Sequence, residues 1–263
     1  MSTYVISDIH GCYSEFQQML DKIQFNNETD ELIIAGDIID RGNENFQMLK
    51  YLESNPKNIT FLMGNHDYDF VYYCKALNEL YEIGKLKCDL KDIFENDNYK
   101  HIYDVNVIDK YHTVEKLINQ GATLSDFKKW AKLISNLKYT TNRTINNKKY
   151  IVVHAGFIHQ KDLDKAKKEY RVWGYNDIKT FYIWAREEGV IIGGENNATI
   201  IFGHTPTISN TYFFNDGKVF IEEKKNRRFI DIDCGYVWKN DKDVKNANFA
   251  CIRLEDEEIF YLI

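Results

Sequence analysis

The chain has almost no proline: two residues, Pro56 and Pro206, among 263. With fourteen glycines in no fixed period, this excludes collagenous and proline-rich architectures. It has no excess of positive charge either. Thirty-four Lys and Arg stand against forty Asp and Glu, a net of −6, so neither a nucleic-acid partner nor a membrane surface is expected. No stretch approaches the ~18 consecutive apolar residues of a membrane span. Residues 1–11 lack a basic segment followed by a long apolar run, so no secretory signal is read. Five cysteines (Cys12, Cys74, Cys88, Cys234, Cys251) form no Cys-x-x-Cys pair. An odd number at scattered spacings reads as reduced thiols, and the expected compartment is the cytoplasm. What remains is ordinary for a globular chain, 44 % hydrophobic and 28 % charged, and long enough to bury a core without staples.

Along residues 1–67 one rhythm repeats three times. Apolar runs at Thr3 to Ser7, Leu32 to Ala35 and Ile59 to Met63 each end in a short polar motif. Helical spacing follows the first two, at Glu15 to Ile23 and Asn45 to Leu52. Strand, loop and helix in alternation predict βαβ units with a parallel sheet, whose ligands bind beyond the carboxyl ends of the strands. From about 68 to 140 the pattern turns helical, with one clear helix over Leu117 to Leu133 and a poorly periodic loop over 86–105. This reads as an insertion over the active face of one domain, 1–263. Strand signals return at Tyr150 to His154 and Ala198 to Phe202, with a helical stretch near Asp177 to Glu187. The tail reads as antiparallel, with a hairpin of Thr211 to Phe214 and Val219 to Glu222 across Asn215-Asp216-Gly217.

Asp8, His10, Asp37, Asn65, His66, His154 and His204 all follow strand-like apolar runs. A single such residue reads as a satisfied structural group; seven at strand ends read as a metal site. Carboxylates, an amide and imidazoles without thiolate suit Mn²⁺, Fe, Zn²⁺ or Mg²⁺. The donors are too many for one tetrahedral ion. Two ions sharing a carboxylate account for them, and such a pair activates water and clamps an in-line phosphoryl displacement. Arg41, four residues after Asp37, offers a guanidinium fork to phosphate oxygens. Other phosphate chemistries fail on spacing. The residues six after each cysteine are Gln18, Leu80, Phe94, Asn240 and Glu257, so no Cys–x₅–Arg phosphatase loop exists. No P-loop is present. Asp67 to Val71 matches an Asp-x-Asp-x-Val aspartyl-phosphate pattern, but its first Asp belongs to Gly64-Asn65-His66-Asp67.

Asp8-Ile9-His10-Gly11, Gly36-Asp37-Ile38-Ile39-Asp40-Arg41-Gly42, Gly64-Asn65-His66-Asp67, His154-Ala155-Gly156 and Gly203-His204-Thr205-Pro206 together resemble the metallophosphoesterase superfamily. More narrowly, they resemble its phosphoprotein phosphatase family, in the bacterial and phage serine/threonine branch. Trp184 to Glu188, Asp233 to Tyr236 and Ala250 to Leu254 resemble further motifs, so the likeness spans essentially the whole chain. It implies a calcineurin-like α/β fold, a central β-sandwich flanked by helices. It implies Asp8 and His10 on a first divalent metal, Asp37 bridging two, and Asn65, His154 and His204 completing the second. Manganese leads among the candidates. His66 would be the general acid, oriented by Asp40. Arg41, Arg186 and Asn65 would bind phosphate. The implied reaction is hydrolysis of a phosphoester, on a phosphorylated protein or peptide or a small phosphoester, by attack of a metal-bridging hydroxide.

Two residues point apart. Asp67 stands where protein phosphatases carry Glu, and there the chain resembles the symmetrical diadenosine tetraphosphate hydrolases. Asp40 is the protein-phosphatase residue and has a chemical task beside His66. A serine/threonine phosphatase is the leading expectation, a dinucleotide hydrolase the alternative, and a non-catalytic scaffold for phosphorylated ligands a second alternative. His101, His112 and His159 read as surface residues, and Trp173 and Trp184 as core.

Overall fold

Ten strands build two five-stranded sheets. The structure, a computed structural model, describes residues 1–84, 89–90, 93, 109–169, 174–208 and 211–262. The first sheet runs β10 (Ile259–Leu262), β9 (Phe249–Arg253), β1 (Thr3–Ile6), β2 (Glu31–Ile34), β3 (Ile59–Phe61). Its β1–β2 and β2–β3 pairs are parallel, with Tyr4 opposite Leu32 and Leu32 opposite Ile59. The second runs β4 (Thr140–Ile145), β5 (Lys148–Val153), β6 (Ala198–Phe202), β8 (Arg227–Asp231), β7 (Phe220–Lys224). Here β5–β6 and β6–β8 are parallel and the edge pairs antiparallel.

The continuous apolar runs have a direct cause. β1, β2 and β6 are covered on both faces, so they need no polar alternation. Val5, Ile33, Leu62 and Ile252 from one sheet meet Tyr150, Val152, Ile201 and Ile230 from the other in the middle of a sandwich. Helices cover both outer faces. On the first sheet lie α1 (Tyr13–Lys22), α2 (Asn45–Glu53), α3 (Asn65–Glu82), α4 (Thr113–Asn119) and α5 (Leu124–Ser135), packed through Phe16, Leu49, Phe70, Leu117 and Trp130. The second carries α6 (Gln160–Glu169), α7 (Ile178–Trp184) and α8 (Glu187–Ile191), with Phe157 and Val190 against Ile151 and Phe202. The sandwich with flanking helices therefore matches the expected fold class.

Three local expectations change. The single helix over Leu117 to Leu133 is two, because Gly121 turns left-handed (φ 94°) and Thr123 restarts the chain with a capping box to Asp126. Thr211 to Phe214 is not a strand; β7 pairs with β8 across Lys225-Asn226 instead, which puts Arg227 and Arg228 in a strand. The rim strand β4 escaped notice because it alternates weakly. The loop expected at 86–105 falls almost wholly outside the described residues, as do His101, Trp173 and Cys88. Cys12, Cys74, Cys234 and Cys251 are free thiols. Among the described residues no helix is long and apolar enough to cross a membrane.

Candidate active site

Six parallel strand ends from the two sheets point at one place. Asp8 follows β1, Asp37 follows β2, and Asn65-His66 open α3 just after β3. From the other sheet, His154 follows β5, His204 follows β6 and Asp233 follows β8. All six strand-end positions, with His10, Asp40 and His66, are buried. The backbone is bent hard to aim them. Asp8, His10, Asp37, Asp40, Arg41 and His204 all lie in the left-handed region, at φ between 48° and 75°. Such conformations cost of order 1–3 kcal/mol each and persist only where the surroundings over-determine them. Gly64 and Gly203 are required by close approach: an added Cβ would lie 2.1 Å from Asp37 Oδ1 and 2.1 Å from Asp8 Oδ2 respectively.

The expected metal ligands come together. Two donor sets share Asp37, His10–Asp37–His66 and Asp37–His154–His204, each with its atoms within 4.8 Å of one another. Asp8 Oδ1 lies 3.9 Å from His10 Nε2. Its carboxylate also accepts the His204 N–H at 3.1 Å and the Ser7 hydroxyl. Asn65 Oδ1 lies 3.0 Å from His154 Nε2 and 2.8 Å from His204 Nδ1.

Proton accounting shows that this donor set fits divalent cations. His10 Nδ1 and His154 Nδ1 each face a backbone carbonyl at 2.9 Å (Ile39 and Ala35), so each must donate there. Both Nε2 atoms then carry lone pairs turned inward. His10 Nε2 lies 3.6 Å and His154 Nε2 3.4 Å from Asp37 Oδ2, so both ring nitrogens converge on one carboxylate oxygen. His204 Nε2 is buried with no partner. Burial, then neighbouring Arg41 and His66, pushes His10 well below the ordinary histidine value. Burial, then His154, does the same for His204. Neutral imidazoles are ligands; imidazolium ions are not. Burial drives Asp37 well above the usual carboxylate range, with Asp8 and Asp67 adding to the effect. A crowd of buried carboxylates and lone pairs is stable only around added positive charge.

Beside this cluster stands an imidazole of different character. His66 Nδ1 is 2.7 Å from Asp40 Oδ2. Burial opposes a charge on His66, but Asp37 and the Asp40 hydrogen bond outweigh it and raise its pKa. Arg41 Nη2 lies 3.1 Å from His66 Nε2. A guanidinium only donates, so here Nε2 is the acceptor and Nδ1–H is given to Asp40. The Arg41 guanidinium sits 4.8 Å from the Trp238 ring and 5.5 Å from that of Tyr111, and its Nε is buried without a partner. Arg186 is exposed on the opposite rim, its Nη1 3.1 Å from Thr205 Oγ1. Trp184, expected in the core, is 38 % exposed, its ring edge-on to His204 at 6.1 Å.

Asp67 does not face the cleft. It is fully buried and accepts N–H groups from Asp37 (2.8 Å), Gly64 (2.9 Å) and Ile38 (3.1 Å), so it braces the Asp37 loop against α3. Four residues escaped the sequence reading: Asp233, Tyr111, Thr113 and Trp238. Asp233 sits in an already noted motif at a strand end, which was the available signal. Tyr111 and Thr113 have none, because they arrive from the insertion. His112 and His159 are exposed, as expected.

Comparison with known proteins gives a consistent picture. The profile of the calcineurin-like phosphoesterase family matches residues 1–232. A symmetrical bis(5'-nucleosyl)-tetraphosphatase of Buchnera aphidicola is 34 % identical over 167 residues, 64 % of this chain and 48 % of that protein. The chain thus spans about half the length of the curated relatives it matches. Among solved structures, a candidate diadenosine tetraphosphatase superposes with TM-score 0.57 at 16 % identity, covering 99 % of this chain and 92 % of that one. A serine/threonine phosphatase from Saccharomyces cerevisiae does so equally, at TM-score 0.57 and 16 % identity, over 100 % and 80 %. At such identity the two structures support the fold alone.

Proposed function

The chain belongs to the calcineurin-like phosphoesterases, and from that premise we propose that it is a metal-dependent hydrolase that cuts the phosphate bridge of a dinucleoside polyphosphate. The observation that carries the substrate is the 34 % identity, over 64 % of this chain, to a protein named for symmetrical cleavage of a dinucleoside tetraphosphate. Asp37, His154, His204 and Asn65 would hold one divalent ion, and Asp8, His10 and Asp37 the other. When bound, the ions supply a nucleophilic water and neutralise charge on the phosphoryl oxygens.

The chain's own residues do the rest. Arg41 and Arg186, on opposite rims, clamp the phosphate oxygens and hold phosphorus in line. A phosphoryl oxygen that takes the Arg41 N–H frees His66 Nε2. Asp40 stabilises the imidazolium, and Nε2 gives its proton to the leaving oxygen. Symmetrical cleavage of a tetraphosphate yields two nucleoside diphosphates.

One observation favours phosphoserine or phosphothreonine as a second substrate class. An alkoxide leaving group is far more basic than a diphosphate, and the buried His66–Asp40 pair at 2.7 Å suits it. The test is parallel turnover, with Mn²⁺ supplied, of diadenosine tetraphosphate and a phosphoserine/phosphothreonine peptide. Fast release of ADP with slow peptide dephosphorylation supports the proposal. The reverse overturns it in favour of a protein phosphatase, and turnover of neither leaves only a binding scaffold.

A further inference from the structure

We infer that Thr113, a residue outside every motif of the sequence, is a positioning residue: its hydroxyl fixes the Asp40 carboxylate, and Asp40 thereby holds His66 with Nε2 turned to the cleft. The inference rests on the proposed role of His66 as proton donor to the leaving oxygen.

Thr113 Oγ1 donates to Asp40 Oδ1 at 2.5 Å, while Asp40 Oδ2 faces His66 Nδ1 at 2.7 Å. Among the described residues these are the hydrogen bonds that the carboxylate receives. Thr113 is 0 %, Asp40 1 % and His66 5 % exposed, so water does not compete for either oxygen. The terminal torsion of an aspartate is soft and roughly two-fold. Gripped at one oxygen the carboxylate can swing; gripped at both, its plane is set and the imidazole is set with it. Asp40 also sits at φ 73°, where its own backbone offers little freedom to compensate.

Thr113 is itself built into place. His112 turns the chain at φ 56°, and the Asp109 carboxylate accepts the Val114 and Glu115 N–H groups, both at 3.0 Å. The same segment lays the Tyr111 ring 4.8 Å from that of His66. The insertion therefore reaches the proton-transfer side of the site through a hydroxyl and a ring. In the step it supports, a water oxygen bonds to phosphorus, its released proton passes to solvent, and the bond from phosphorus to the leaving oxygen breaks. The leaving oxygen keeps the electron pair and takes the Nε2 proton.

The experiment uses the full chain with Thr113→Val, Thr113→Ser and, for assignment, His66→Gln. One readout is the far-downfield imidazole N–H proton of His66 Nδ1, identified by its loss in His66→Gln. It needs neither metal nor turnover. The other is the ratio of rates on an alkyl phosphate and on p-nitrophenyl phosphate. Thr113→Val is expected to shift or broaden the resonance. It should slow the alkyl ester roughly tenfold, a part of the ~10²–10⁴ that general acid–base catalysis supplies, and the aryl ester less than about threefold. Thr113→Ser should restore both. A wild-type spectrum without the resonance, an unchanged resonance in Thr113→Val, or equal slowing of both esters overturns the inference. Full turnover of both esters by His66→Gln removes the proposed role of His66 itself, a different failure from an inert Thr113.

Discussion

The two walls of the site are made differently. One, from Asp8 to His66 with His154 and His204, is carried on short loops at strand ends. There the backbone is left-handed at Asp8, His10, Asp37, Asp40, Arg41 and His204. The other consists of Tyr111, just before α4, Thr113, its first residue, and Trp238, from the turn Tyr236–Trp238. The first wall carries the proposed donors for ions and phosphate. The second holds the first in position. Donors fixed by strained turns need particular residue types at fixed spacing, and so leave motifs. A supporting hydroxyl or ring needs only to arrive at the right point in space, which any tertiary route can achieve.

This contrast can be broken by experiment. Its sharpest consequence falls on Asp37, shared by both donor sets. Asp37→Asn should abolish stoichiometric metal binding and lower turnover by roughly 10³-fold or more; metal analysis of the purified protein showing two ions retained would refute the shared role. Asp67 lies behind the first wall, and its change should act on folding. Asp67→Ala strands three buried N–H groups and should cost about 2–4 kcal/mol by denaturant titration. A change in substrate preference without loss of stability would instead make Asp67 a specificity residue. For Arg41→Ala, loss of a charge-assisted phosphate contact should lower kcat/KM about 10–100-fold, and unchanged steady-state kinetics would remove it from the site. The smallest effect belongs to the second wall. Tyr111→Ala removes the cation–π contact to Arg41, worth about 0.5–1 kcal/mol, along with that to Lys110, and should raise KM about two- to fivefold. A loss as large as that of Arg41→Ala would erase the distinction between the walls.

Legibility in the sequence followed the same division. The parallel strands were visible as continuous apolar runs because burial on both faces removes alternation. The candidate ligands were visible because each run ended in a carboxylate, amide or imidazole. Asp67 was visible as a departure from a motif, yet its three backbone hydrogen bonds, not the departure, reveal its bracing role. Trp184 looked like core by residue type. Its exposure follows from the end of α7 at the cleft rim, which composition does not encode. The break between α4 and α5 was written in Gly121 and Thr123 but was masked by the apolar period on either side.

The fold class, the strand ends and the identity of the donors clustered there were legible in the chain's residues alone, because periodicity and left-handed turns are local constraints. Folding alone sets which histidine nitrogens face which carboxylate, places Asp233 at the sixth strand end, and lets Thr113 grip Asp40 across 73 residues of sequence. Those contacts join segments through a shared core, and no local pattern records them, since each partner satisfies only ordinary rules where it stands in the chain.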